Sequence, residues 1–282
     1  MKNKPPLVIF FFLFNLQFAA SLDFTVQGGV DYSSYPQDDK NYMNTTFTPE
    51  FLPIAQAALK GDFAGMYNYN VSFGNDPIWR NMAGGDIGYY FGNVDIGLGF
   101  FTGVSDFTFE YIDVGFSGRA GVEFPGVFLV NAGFASSLNK GTGIAGSASR
   151  QAFNAQAGFW LPNIFIITNF QMKNYIEQTE TSTVDTSSVR YSGSMELFSK
   201  NTPYRIRFSF GWQTLSRVVD ESGVLGEANY NAFLAGFRFY SQSSSTFAWF
   251  IEGEALSDIN NAKTIAVFYN ASIGLIFSYP ER

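Results

Sequence analysis

Ile112-Asp113-Val114-Gly115-Phe116-Ser117-Gly118-Arg119-Ala120-Gly121-Val122-Glu123-Phe124 decides the reading of this chain. Its even positions carry Ile112, Val114, Phe116, Gly118, Ala120, Val122 and Phe124, and its odd positions Asp113, Gly115, Ser117, Arg119, Gly121 and Glu123. Strict two-residue alternation puts successive side chains on opposite faces of an extended strand. One face is bulky and apolar, the other small or charged. Pro125-Gly126 predicts a tight turn, after which Phe128, Val130, Ala132 and Phe134 share a face of the next strand.

The pattern recurs in both directions. Towards the C-terminus, Phe153 to Phe159, Ile164 to Met172, Val189 to Leu197, Tyr204 to Trp212, Phe233 to Phe239 and Phe247 to Ala255 all alternate, and Thr264 to Tyr279 is the longest run. Towards the N-terminus, Phe24 to Tyr32, Phe63 to Phe73, and the pair Ile87–Phe91 and Val94–Phe100 about Gly92-Asn93 read the same way. These make thirteen segments, and the gap between Tyr32 and Phe63 is too long for a plain hairpin loop. Asn44 to Phe51 is expected as a weak fourteenth strand, with Leu52 to Lys60 as its turn. The alternative is twelve strands, with residues 22–60 packed elsewhere.

The composition fits two unlike faces. The chain has 282 residues, is 18% aromatic and only 15% charged, yet its mean hydropathy is near zero. No Cys is present, so there is no disulfide framework, thiolate metal site or lipid-modified N-terminal cysteine. No His is present either, which removes every Ser-His or Cys-His nucleophile and imidazole ligand. No metal spacing, phosphate loop or dinucleotide fingerprint occurs; no cofactor and no enzymatic activity are expected. A net charge of −7 argues against a nucleic-acid partner.

Lys2 and Lys4 precede the apolar run Leu7 to Phe14, and Ala19-Ala20-Ser21 supplies the small residues of a cleavage site. Residues 1–21 therefore read as an export signal cleaved after Ser21, too short in its apolar run to span a bilayer. Removal takes away two lysines and no acid, shifting the charge from −7 to −9. Residues 22–282 then form a single domain.

Two further features point to lipid. Connections alternate in length: Gly92-Asn93, Phe124 to Gly126, Leu161 to Asn163, Ser199 to Pro203 and Ser241 to Ser245 are short, whereas Ser137 to Arg150, Glu177 to Ser187 and Ser216 to Ala228 are longer and polar. Phe91, Phe124, Phe159, Phe198, Tyr204, Phe239, Tyr240, Phe247 and Phe277 crowd the short turns, as in an aromatic girdle.

With its signal segment, its alternating strands and its aromatic C-terminal strand, the chain resembles Gram-negative outer-membrane β-barrels, and in size monomeric fourteen-strand porins. That resemblance implies an all-β, antiparallel up-and-down barrel in the outer membrane, with both termini periplasmic. It implies outer-membrane lipid as surroundings, assembly by the barrel assembly machinery through the C-terminal strand (Phe277 and Tyr279 the candidate recognition residues), and a monomer. Pro280-Glu281-Arg282 departs from the usual aromatic ending.

The expected function is passive diffusion of small hydrophilic solutes or ions. In the polar parity, Asp86, Asp95 and Asp113 form a candidate acidic wall, and Lys173, Arg190, Arg205, Arg207 and Arg238 a candidate basic wall. Facing walls would set a transverse field across a lumen. Arg119 on the acidic side and Glu196, Glu252 and Glu254 on the basic side make local pairing the other reading. Small inward residues such as Gly97, Gly115, Gly158 and Ser192 favour an open lumen. Phe101, Trp160, Tyr175, Tyr230, Phe250 and Phe268 would form a constriction or a greasy slot. Transport or reception of a hydrophobic small molecule is the second reading, and a surface-exposed structural or adhesive barrel the third.

Overall fold

The structure is a computed structural model, describing residues 19–33, 50–63, 67–76, 80–104, 112–138, 141–142, 146–199, 202–221, 223–244, 246–258 and 267–279. Fourteen strands of ten residues or more follow one another: β1 (Ala19–Ser33), β2 (Glu50–Phe63), β3 (Tyr67–Asp76), β4 (Arg80–Phe91), β5 (Val94–Val104), β6 (Ile112–Phe124), β7 (Phe128–Ser137), β8 (Gly146–Leu161), β9 (Ile164–Thr179), β10 (Ser182–Phe198), β11 (Tyr204–Glu221), β12 (Val224–Gln242), β13 (Phe247–Asp258) and β14 (Val267–Tyr279). Gly141–Thr142 adds a two-residue pairing on β8. Each strand pairs antiparallel with its chain neighbours, and β1 pairs with β14 from Leu22↔Tyr279 to Ser33↔Phe268. The sheet closes, so none of these fourteen strands is left as an edge.

The strand count matches the expectation, but β2 does not lie where it was expected. Leu52 to Lys60 is strand rather than turn, and the hairpin to β3 falls after Phe63. Residues 44–49 lie outside the described residues. The segment hides itself because Leu52, Ile54, Ala55, Ala57, Ala58 and Leu59 leave no period of two, and Pro53 reads as a breaker. Pro53 sits opposite Val30 of β1, in the stretch of β2 that β3 does not reach, since their pairing begins at Gln56↔Gly74. With β1 and β2 in the ring, the twelve-strand alternative is eliminated.

Two expected loops are also strand. Glu177 to Ser187 is the tip of the β9–β10 hairpin, and Ser216 to Ala228 that of β11–β12. The first turn shrinks to residues 180–181, and in the second hairpin the paired strands run to Glu221 and resume at Val224. Polar residues on both faces masked the strand signal there, because these tips extend past the roughly 9–11 residues that a bilayer requires. The contrast in connection length is therefore weaker than the sequence suggests. The turns at Gly92-Asn93 and Pro162-Asn163 are as expected, with Gly92 (φ 62°) and Asn163 (φ 65°) in the left-handed region that tight turns demand. The described part of the last strand begins at Val267; residues 264–266 and 280–282 lie outside it, as do residues 1–18 of the expected signal. Ala19 to Ser21, the expected cleavage site, opens β1.

The bulky parity points outward. Ile87, Leu98, Phe100, Val130, Phe210 and Ile273 are exposed on the outer surface, Leu98 by 71% and Phe91 by 74%. An apolar surface continuous around a barrel far exceeds what a soluble monomer presents, and it suits hydrocarbon. Outer rings meet across strands beside the short turns: Phe124 and Phe128 at 4.8 Å, Tyr204 and Phe239 at 5.7 Å, Phe239 and Trp249 at 5.5 Å, and Phe247 and Phe277 at 5.5 Å. Such pairs tie neighbouring strands and build the aromatic band at one rim.

Candidate functional site

The inner wall carries the polar parity, and register decides which side chains meet. Glu196, Arg207, Arg238, Glu252 and Ser272 stand directly opposite one another on β10 to β14. Placing Arg207 against Arg238 is unfavourable unless acids flank the pair. They do. Glu196 accepts from Arg207 at 2.5 Å and from Arg205 at 3.5 Å, while Glu252 lies 3.9 Å from Arg238 and accepts from Gln27 and Ser272. Aromatic faces back the guanidiniums: Arg238 sits 4.0 Å above Phe250, and Arg205 5.8 Å from both Phe198 and Tyr240.

Arg190 does not join this row. Its guanidinium grips Glu254 of β13 in a two-pronged bond at 2.7 and 2.5 Å, reaching past two intervening strands. Gly236 stands directly opposite Glu254 and projects no side chain beside its carboxylate. Lys173 lies half-buried on the inward face of β9, opposite Ser188.

The acidic residues divide into two groups. Asp86 and Asp95 share Arg119, whose Nε is 2.8 Å from Asp86 and whose terminal nitrogens bond Asp95 and the Asn68 carbonyl. Asn68 and Asn70 donate back to Asp95 and Asp86 at 3.0 and 3.2 Å. Asp113 stands apart. It forms an ion pair with Arg150 across β7, both side chains fully buried, and takes a 2.6 Å bond from Ser137. Tyr175 lies under the Arg150 guanidinium at 4.9 Å.

Pairing thus dominates both walls, without cancelling them. Within the bonded clusters, Asp86 and Asp95 outnumber Arg119 by one, and Arg205, Arg207 and Arg238 outnumber Glu196 and Glu252 by one. Both clusters lie near the short-turn rim, and β5 and β12 are seven strands apart in a ring of fourteen. The two clusters therefore stand on opposite sides of the ring.

The inward glycines have a role that composition did not suggest. Gly97 receives Arg119, where an added Cβ would come within 2.7 Å of Nε; Gly103 receives Arg150, Gly115 the ring of Phe101, Gly158 that of Phe165, and Gly274 that of Phe250. These five side chains lie against a glycine of another strand. Phe101 and Phe250 are buried there; Tyr175 and Tyr230 are buried without such a seat, and Trp160 stacks on Phe165 at 4.5 Å. The Phe268 side chain lies outside the described residues.

Sequence reasoning placed the charged parity but missed Arg150, assigned to a loop. The even parity of Asn154 and Gln156, continued back through Ala152, would have put it inside. It also missed the amide chain in which Asn131 donates to Gln156 at 3.0 Å and Gln156 to Asn169 at 2.6 Å.

No family model and no curated protein matches this chain. Solved structures do. An outer-membrane channel from Pseudomonas putida F1 aligns at a TM-score of 0.51 over 93% of this chain and 96% of its own, with 6% identity. An anion-selective porin from Comamonas acidovorans aligns at 0.45, over 93% of this chain and 100% of its own, with 10% identity. The translocator domain of autotransporter NalP from Neisseria meningitidis aligns at 0.45, over 91% and 88%, with 6% identity. At such identities the likeness is one of fold. The chain is a fourteen-strand antiparallel β-barrel of the architecture found in outer-membrane proteins.

Proposed function

We propose that the protein is a non-catalytic outer-membrane channel for passive diffusion of small hydrophilic solutes or ions, delivered by a signal segment cleaved after Ser21 and inserted with both termini periplasmic. The observation that carries this reading is the inner wall. Its charges are held in bonded clusters, and its bulky side chains are folded onto glycines, so polar surface is presented where a solute would pass. A barrel of fourteen strands lies between those filled by side chains and those of about 16–18 strands that hold aqueous channels. Flattening large residues against the wall favours the wide outcome.

The facing residual charges supply a transverse field, worth more to a dipolar solute than the net charge of the chain. The test is current through planar bilayers containing the refolded protein. Stepwise conductance is expected, and replacing Arg205 and Arg207 together with Ser should move the reversal potential in a salt gradient toward greater cation preference. Steps with an unmoved reversal potential sink the field. No steps, with co-purifying lipid, favour the hydrophobic-ligand reading.

A further inference from the structure

Between the two charged clusters, the wall of β7 to β9 is lined by neutral amides. Asn131, Gln156 and Asn169 occupy one register row, each opposite the next. Asn154 and Gln171 form the row beside it. Strands about 4.8 Å apart set the spacing of this lattice. Gly121 and Gly133 end the rows without side chains, and there the wall hollows into a cleft of about 470 Å³ lined by Asp95, Arg119, Asn131, Asn154 and Gln156. That volume lies in the range of small-ligand sites.

Chemistry narrows the ligand. Every amide offers a donor and an acceptor, as a hydroxyl does, whereas a simple ion uses only one of the two. The charged groups at the ends of the strip are already engaged, Arg119 by Asp86 and Asp95, and Arg190 by Glu254. An apolar molecule would strip water from the amides with nothing in return. On the inward face of β8, Gln156 is followed by Gly158 and then Trp160, whose ring stacks on Phe165. A flat aromatic about 13 Å along the strand from a lattice of amides matches an extended molecule with C–H faces and edges of hydroxyls. We infer that this strip is a saccharide-binding track on the lumen wall. The inference rests on the channel reading and adds to it a class of solute.

The test uses the full-length refolded protein in planar bilayers, with maltose and maltotriose as probes and polyethylene glycols of matched size as controls. Maltotriose is expected to reduce the open current saturably and beyond its size-matched control. Gln156→Ala and Trp160→Leu should each weaken the block, measured relative to that variant's own open current, about fivefold, the effect of losing one good contact. Heat-modifiable mobility on gels confirms that each variant is a folded barrel. Equal reduction by sugar and control overturns the track and leaves the channel standing. If no steps appear, the channel reading fails instead, and calorimetric titration of the detergent-solubilised barrel with maltotriose decides: binding lost in Gln156→Ala supports the track, and the absence of heat in the parent protein overturns it.

Discussion

Replacing Arg150 with Ala is expected to destabilise the barrel by about 3–5 kcal/mol, the cost of leaving a buried charge without its partner. Asp113 is fully buried, and with Arg150 gone its carboxylate is left with the Ser137 hydroxyl as donor and no countercharge from Arg150. The loss should appear as a lower urea midpoint for unfolding in micelles, followed by the gel shift between folded and unfolded forms. The double variant Arg150→Met with Asp113→Leu should recover most of it, because a buried pair replaced by apolar groups of similar volume is often neutral or better. A single variant as stable as the parent would mean that the pair is solvated and the packing around it is wrong. Charged residues near a rim, such as Arg205, should show much smaller stability effects when removed, since exposed pairs contribute about 0–1 kcal/mol.

Leu98→Arg carries the second large effect, about 2–4 kcal/mol if the position lies near the bilayer midplane. Leu98 is among the most exposed large apolar residues and sits mid-strand in β5, so its side chain meets lipid in the proposed orientation. The matched control is Ser192→Lys, on the opposite parity, where a charge would meet the aqueous lumen. Folding efficiency into lipid vesicles and the urea midpoint should fall for the first and stay within about 0.5 kcal/mol for the second, the range of ordinary surface changes. The reverse order would place the apolar face inside and the polar face outside.

Most of the barrel is legible in the sequence because an apolar outer face and a polar inner face impose a period of two, and Ile112 to Phe124 displays it without a break. Legibility fails where that contrast fails. In β2 both parities are apolar and Pro53 intrudes, so a genuine strand reads as a turn. In the tips of β9 to β12 both faces meet water, so paired strands read as loops. The site follows the same rule. Parity assigns Arg190, Arg205 and Arg207 to the inner wall, but partners depend on register, which alternation does not encode. Arg119 pairing with the acids beside it is open in the sequence as local pairing, whereas Arg190 reaching Glu254 across two strands needs the register. The glycines mislead for a related reason. Composition presents them as empty space, whereas Gly103 and Gly274 are seats for Arg150 and Phe250.

The central claim is that small hydrophilic solutes cross the lumen without energy input. Swelling of proteoliposomes in iso-osmotic solutions of uncharged sugars of rising size tests it directly. Rapid swelling is expected in arabinose, slower swelling in disaccharides and a cut-off at larger oligosaccharides, in vesicles whose barrel is shown folded by gel mobility. Vesicles with folded barrel that swell no faster in arabinose than protein-free vesicles would contradict it.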